Sequence, residues 1–207
     1  RMLKKAALVE RYVFIDLHNS ALEGLFDNAT TTMNLSSKHL FARELRGREG
    51  IRDYVAAAPD AGGTKRVENF IKLLKMSMVY INKIRDAHGV PTATCVVGDV
   101  VGKKVVSLDD IIDKASTMKE AVRALKGDGA KEVIMCATHA VFSEGAVKNI
   151  NESGVDEIII TDTLQVSDVK KASIKPKLTV LSWAETLAKS VILPLHKDES
   201  TTHAFEE

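Results

Sequence analysis

The sequence predicts an α/β fold: a mostly parallel β-sheet with helices on both faces. Three observations carry this expectation. Short apolar runs recur along the chain, each followed by a loop and then a stretch with helical spacing, and this alternation repeats at least four times. Hydrophobic residues make up 45% of the 207 positions, enough for a substantial core. Several apolar runs also deliver acids where a loop begins, and ligands of parallel sheets bind outside the carboxyl ends of their strands.

Length and charge narrow the classes further. The 207 residues suit one or two domains. With 29 basic and 28 acidic residues, no basic patch stands out, so neither a nucleic acid nor a membrane is expected as partner. No uncharged apolar run approaches a membrane span. The start, Arg1 to Val9, is basic, lacks a signal-peptide core and reads as the tail of a helix, so the chain is expected to begin inside a larger fold. Cys95 and Cys136 lie in apolar runs and read as buried reduced thiols of a cytoplasmic protein.

The elements follow in order. Residues 2–10 suit a helix. Tyr12 to Ile15 is a β-rich run that delivers Asp16 and His18. In an extended segment these two share a face, and such a pair can hold a hydrated cation or orient a phosphate. Residues 19–34 read mostly as loop, and Ser36–Arg46 as a helix capped by Ser36 or Ser37. Tyr54 to Ala58 is a short strand running into Pro59 to Arg66, with a helix from Val67 to about Leu74. There Asp60 and the glycines Gly62 and Gly63 suit a loop whose amides a ligand can approach.

Met78 to Ile81 is the next strand, followed by the basic residues Lys83 and Arg85 and by an exposed loop, Asp86 to Pro91. Thr94 to Val97 then meets a hairpin-like turn, Gly98 to Gly102, in which Asp99 shapes the bend. The strand from Lys103 is expected to end in Asp109 and Asp110. A short loop, Asp113-Lys114-Ala115-Ser116-Thr117, and a helix from Thr117 to Lys126 come next, with Thr117 and Glu120 as a capping box. Acids at a strand end before a phosphate-sized loop and a helix start suggest a sugar-phosphate or nucleotide site.

Glu132 to Ala137 is a buried strand ending at Thr138-His139, and Gly145–Asn151 a short helix. Glu157 to Ile160 and Leu178 to Leu181 are the last strands, before a helix over 182–192 and a polar tail from Pro194. His39 and His88 read as solvated. His139 reads as structural, fixing the loop at Ser143, and Trp183 as a core or interface anchor.

These segments together resemble the ribose-phosphate pyrophosphokinase (phosphoribosyl pyrophosphate synthetase) family, mainly its C-terminal domain. The resemblance rests on Asp16-Leu17-His18 with Gly24-Leu25-Phe26-Asp27, and on Ala58-Pro59-Asp60-Ala61-Gly62-Gly63-Thr64-Lys65-Arg66. It continues through Val97-Gly98-Asp99-Val100, Ala137-Thr138-His139-Ala140-Val141-Phe142-Ser143, Thr161-Asp162-Thr163 and His196 to Ser200. It covers nearly the whole chain.

The resemblance implies a type I phosphoribosyltransferase-like fold. Residues 1–30 would be the end of an N-terminal domain, 31–193 the C-terminal domain and 194–207 a polar tail. It implies transfer of the ATP pyrophosphoryl group to ribose 5-phosphate, with Mg2+, in an oligomer of this or homologous subunits. Asp16, His18 and Asp60 would lie by the metal and the ATP phosphates, with Gly62 and Gly63 in the pyrophosphate loop. Lys83 and Arg85 would stabilise the transferring group, which is where such catalysis mostly acts. Asp109 and Asp110 would bind the ribose hydroxyls, directly or through magnesium, and Asp113, Lys114, Ala115, Ser116 and Thr117 the 5-phosphate.

Three departures accompany the resemblance. The chain starts near where the last helix of the family's N-terminal domain would be. The family's Asp-Thr-Gly-Gly-Thr loop reads Asp113-Lys114-Ala115-Ser116-Thr117, without its glycines, and an acid that some members carry is replaced near Thr31. Two other readings therefore stand beside the catalytic one: a non-catalytic regulatory homologue, and a purine or pyrimidine phosphoribosyltransferase. The last does not account for Asp16-Leu17-His18 or for Ala137 to Ser143.

Overall fold

The computed structural model describes residues 9, 11–26, 30–59, 63–85 and 91–201, with backbone alone at 83–85 and 91–93. Two compact units are present: Arg1–Ser37 together with Ala184–Glu207, and Lys38–Trp183. The helix expected over 2–10 lies outside the described residues, as do Asp27, Asp60, Gly62, His88 and most of the Asp86–Pro91 loop.

In the first unit, strands β1 (Arg11–Ile15) and β2 (Thr31–Leu35) pair in parallel, Arg11 opposite Thr31 and Ile15 opposite Leu35. The segment expected to be loop therefore holds a strand. It also holds a 3-10 turn, Ser20–Leu25, whose cap Asn19 accepts the Ala21 N–H at 3.0 Å. Cap chemistry and packing against Phe26, whose ring lies 4.7 Å from Tyr12, order what composition alone reads as loop. Residues Ala184–Leu187, Ala188–Ile192 and Leu193–His196 form consecutive helical turns, the middle one π-helical. Helix thus replaces the start of the expected polar tail. Among the described residues no helix is long and apolar enough to cross a membrane.

The second unit is an α/β layer structure. Its strands are β3 (Val55–Ala58), β4 (Ser77–Arg85), β5 (Pro91–Val97), β6 (Lys104–Ile112), β7 (Glu132–Ala140), β8 (Glu157–Thr161) and β9 (Lys177–Leu181). Their order is β5-β4-β3-β6-β7-β8-β9, parallel except for β5 against β4. The helices are α1 (Lys38–Arg46), α2 (Thr64–Leu74), α3 (Ser116–Gly127), α4 (Ala146–Asn151) and α5 (Asp168–Ser173). Ser167, accepting the Lys170 N–H, caps α5, a helix that its short and weakly apolar sequence did not announce.

Side chains alternate across the sheet, so each central strand feeds two cores. Val55, Ala57, Val105, Val133, Met135, Ile158 and Ile160 pack on one face with Met118, Val122 and Leu125 of α3. Ala56, Ala58, Val106, Leu108, Ile134, Cys136 and Ile159 pack on the other with Phe41 and Leu45 of α1 and Val67, Phe70 and Leu74 of α2. Cys136 is buried and free, and burial pushes its thiol up. Cys95 is also free and only half-buried.

The Gly98–Gly102 turn is not a hairpin. It leaves β5 at the sheet edge and enters β6, with β4 and β3 lying between them. Gly98 is needed there: at φ 126° it lies against Val79, whose Cγ1 would sit 2.5 Å from any Cβ. Asp99 does shape the bend, accepting the Val101 N–H at 3.1 Å and pairing with Lys103 at 2.8 Å.

Candidate functional site

Successive strands step from β3 outward to β4 and β5 on one side, and from β6 outward to β7, β8 and β9 on the other. The gap between the carboxyl ends of β3 and β6 is therefore a topological switch point, where open α/β sheets bind ligands. Among the described residues β3 pairs with β6 from Val55↔Val105 to Ala57↔Ser107, and beyond Ser107 no described strand lies on that side. Asp109 and Asp110 stand in this opening. They are not the end of β6, which continues along β7 to Ile112 opposite Ala140. A neighbour with free edge groups extended the strand past the point at which the acids suggested a stop.

Arg66, in the first turn of α2, spans the opening. Its Nη1 lies 3.5 Å from Asp109 Oδ1 and its Nη2 3.2 Å from Asp110 Oδ2. The side chain of Asp110 is 7% exposed and that of Asp109 29% exposed. Burial, followed by the neighbouring Asp110 carboxylate, raises the Asp109 carboxyl to about 7, against the opposing pull of Arg66. Sequence reasoning placed Arg66 in the pyrophosphate loop without a role. Its signal is position: a first-turn residue beside the switch point reaches the acids of the neighbouring strand.

The loop after β6 turns at Ala115, which is left-handed (φ 57°, ψ 17°) and buried. Asp113, Lys114, Ser116 and Thr117 around it are exposed. α3 starts at Ser116 with Ala115 as N-cap and no side-chain cap, so the capping box expected from Thr117 and Glu120 does not form. Thr117 already lies inside the helix. The first amides of a helix have no intrahelical acceptor, and an anion at that end satisfies them.

The β7–α4 connection braces this loop. Phe142 N–H donates to Ile112 O at 3.1 Å and Ser143 N–H to Asp113 O at 3.1 Å. Ser143 Oγ also donates to Asp113 Oδ1. Asn149 Nδ2 donates to Lys114 O at 2.9 Å, while Lys119 Nζ holds Asn149 Oδ1 at 3.2 Å. Phe142 is itself left-handed (φ 46°) and fully buried, and Lys170 Nζ donates to its carbonyl at 2.7 Å.

Other expected residues behave differently. Asp16 is left-handed (φ 44°), so it and His18 do not continue an extended segment with a shared face. Its Oδ2 accepts the Ser37 N–H at 2.8 Å, and His18 is exposed. Gly63 has an ordinary right-handed conformation (φ −77°, ψ −13°) at the start of α2, so glycine's freedom is not used at that position. Lys83 and Arg85 lie within β4 rather than after it, opposite Thr94 and Pro91, with a bulge between Ile84 and Arg85. Their side chains, with Asp60 and Gly62, lie outside the described residues.

His139 falls within β7 and meets Thr163, Nδ1 to Oγ1 at 2.9 Å. Thr161 and Thr163 both donate to Thr138 O, at 2.7 and 2.9 Å, so β7 and β8 are tied at their carboxyl ends. His39 is half-buried on α1 rather than solvated. Trp183 is buried, and its backbone N–H donates to Asp162 Oδ1 at 2.9 Å. Among the described residues no group of three His, Cys, Asp or Glu side chains converges as a metal cage.

Comparison with known proteins agrees with this fold. The chain is 35% identical over 197 residues to a ribose-phosphate pyrophosphokinase of Synechocystis sp., covering 95% of this chain and 57% of that protein. It is 35% identical over 184 residues to the ribose-phosphate pyrophosphokinase of Thermotoga maritima, covering 88% and 56%. The crystal structure of phosphoribosylpyrophosphate synthetase from Mycobacterium smegmatis superposes with a TM-score of 0.83 at 34% identity, covering 95% of this chain and 62% of that one. The chain thus spans 56–62% of the length of these relatives. Residues 84–206, more than half of it, match the model of the phosphoribosyl synthetase-associated domain, and the chain belongs to that family.

Proposed function

We propose that this chain is the larger part of a ribose-phosphate pyrophosphokinase, which transfers the ATP pyrophosphoryl group to the 1-hydroxyl of ribose 5-phosphate. One observation carries the reading: Ala115, with φ 57°, makes a left-handed turn directly before α3 although glycine is absent. The replacement that favoured a non-catalytic homologue thus leaves a glycine-type turn ahead of the helix amides. The bracing by Ser143 and Asn149 offsets the strain of Ala115, on the order of 1–2 kcal/mol.

In this reading the amides of residues 114–117 hold the 5-phosphate, with the Lys114 ammonium and the Ser116 and Thr117 hydroxyls beside it. Asp109 and Asp110 accept hydrogen bonds from the ribose hydroxyls and orient the sugar. Asp60, Gly62 and Gly63 receive the pyrophosphate of ATP, and Lys83 and Arg85 stabilise the charge on the transferring group. Holding both substrates in line supplies most of what such a transfer needs.

Magnesium fits the donor set. Mg2+ binds through one or two carboxylates, water and substrate phosphates rather than a protein cage, and Asp109 and Asp110 present adjacent carboxylates, the first partly open. Asp60 would lie towards the ATP phosphates. When bound, the ion neutralises charge on the pyrophosphoryl oxygens. A cytoplasmic location and assembly into an oligomer belong to the same reading.

The full-length protein, given labelled ATP and ribose 5-phosphate with saturating magnesium, should form the pyrophosphorylated sugar and AMP. Calorimetry should also give saturable binding of ribose 5-phosphate. Absence of both product and binding would favour a regulatory homologue instead.

A further inference from the structure

We infer that Arg66 is a positioning residue for ribose 5-phosphate: it holds Asp109 and Asp110 together as one acceptor surface. This inference rests on the function proposed above.

The backbone sets the problem. Adjacent residues of a strand send their side chains to opposite faces, so two consecutive acids do not naturally serve one sugar. Strand β6 remains paired to β7 at Asp109, opposite Ala137, but among the described residues it has no strand neighbour on the β3 side beyond Ser107. The Arg66 guanidinium lies on that side and reaches one oxygen of each acid, at 3.5 and 3.2 Å. Asp109 Oδ1 also accepts the Asp110 N–H at 2.9 Å, which holds the first carboxylate over the backbone of the second. The two acids are thereby turned towards the same opening.

Charge gives the same answer. Two carboxylates this close repel, and the low exposure of Asp110 increases the cost. Arg66 supplies a neutralising cation, and its planar fork engages two separate oxygens at once, whereas a lysine ammonium is a single point charge. Arg66 also lies in the first turn of the helix that follows the expected pyrophosphate loop, since α2 starts at Thr64. One side chain therefore connects the element that follows the ATP-side loop to the acids of the sugar side.

The test is steady-state kinetics of the full-length protein with each substrate varied in turn, for wild type, Arg66→Gln and Arg66→Lys. Losing a charge-assisted contact that orders a binding surface predicts a rise of about 10-fold or more in KM for ribose 5-phosphate with Arg66→Gln. The KM for ATP should stay within about twofold, because only interactions on the sugar side are removed. Arg66→Lys should recover part of the loss. A general structural defect would instead move both KM values together, and that result overturns the inference, as does an unchanged KM for ribose 5-phosphate. If Arg66→Gln does not fold, Arg66→Lys decides alone, and it must raise the KM for ribose 5-phosphate selectively. Wild type is the control: without turnover there, the proposed function fails and takes the inference with it. With wild-type turnover and no selective effect, only the role of Arg66 fails.

Discussion

Arg48 and Glu157 meet as a two-point pair, Nη1 to Oε2 at 2.7 Å and Nη2 to Oε1 at 2.9 Å, although 109 residues separate them in sequence. The pair joins the segment after α1 to the first residue of β8, at the end of the sheet away from Asp109. The Glu157 side chain is 5% exposed and also accepts from Thr179 Oγ1 at 2.9 Å and Lys177 Nζ at 3.0 Å. Such a buried pair is costly to break, because the partner left behind is a desolvated charge.

Arg48→Met is therefore expected to destabilise the chain by about 3 kcal/mol, read from urea unfolding at pH 7. Replacing both Arg48 and Glu157 by apolar residues should cost less than the single change, since the desolvated carboxylate is then removed as well. A double variant as unstable as the single one would show that packing, not the charge pair, dominates there.

The Glu157 and Asp109 carboxyls are shifted in opposite directions. The pull of Arg48, aided by Lys177 and Thr179, overcomes burial and lowers Glu157 from 4.5 to about 2. Its stabilisation is complete above about 4.5 and is lost as the pH falls towards 2. Asp109 is raised from 3.8 to about 7, so the folded state prefers it protonated and loses stability as the pH climbs through that window. Glu157→Gln should flatten the acid limb of the stability profile, and Asp109→Asn the limb between about pH 4 and 7. Urea midpoints at pH 3, 5 and 8 check both; equal slopes in wild type and variant would contradict the assignment.

Ala115→Gly tests the turn before α3. A left-handed alanine costs roughly 1–2 kcal/mol. Glycine removes that strain but adds about 0.4–1 kcal/mol of unfolded-state entropy. The variant should be neutral to about 1 kcal/mol more stable, and in the unstrained loop Asn149→Ala should cost less than in wild type. Thermal unfolding of the four proteins of this cycle, wild type included, measures the coupling. A glycine variant clearly less stable than wild type would mean that the methyl group's burial outweighs the backbone strain.

Much of this was legible in the residues. The alternation of apolar runs and helical spacing predicted the parallel sheet, because period-2 burial on two faces leaves near-continuous apolar strands such as Val133 to Ala137. The acids Asp109 and Asp110 and the loop Asp113–Thr117 were visible as a strand-end site. Less legible were local caps and distant neighbours. The strand Thr31–Leu35 looks like loop until β1 pairs with it, and α5 depends on the Ser167 cap more than on apolar spacing.

The sequence by itself determined the layer architecture, the family pattern and the identity of the acids, since these depend on residue type and local period. Only the tertiary structure decided how far β6 runs, that Ala115 takes the left-handed turn without glycine, and that Arg66 faces both acids. The physical reason is common to all three. Each depends on which groups lie across a gap: a neighbouring strand for β6, the Ser143 and Asn149 braces for Ala115, and the open edge beside β3 for Arg66. Spacing along the chain carries no direct record of such long-range neighbours.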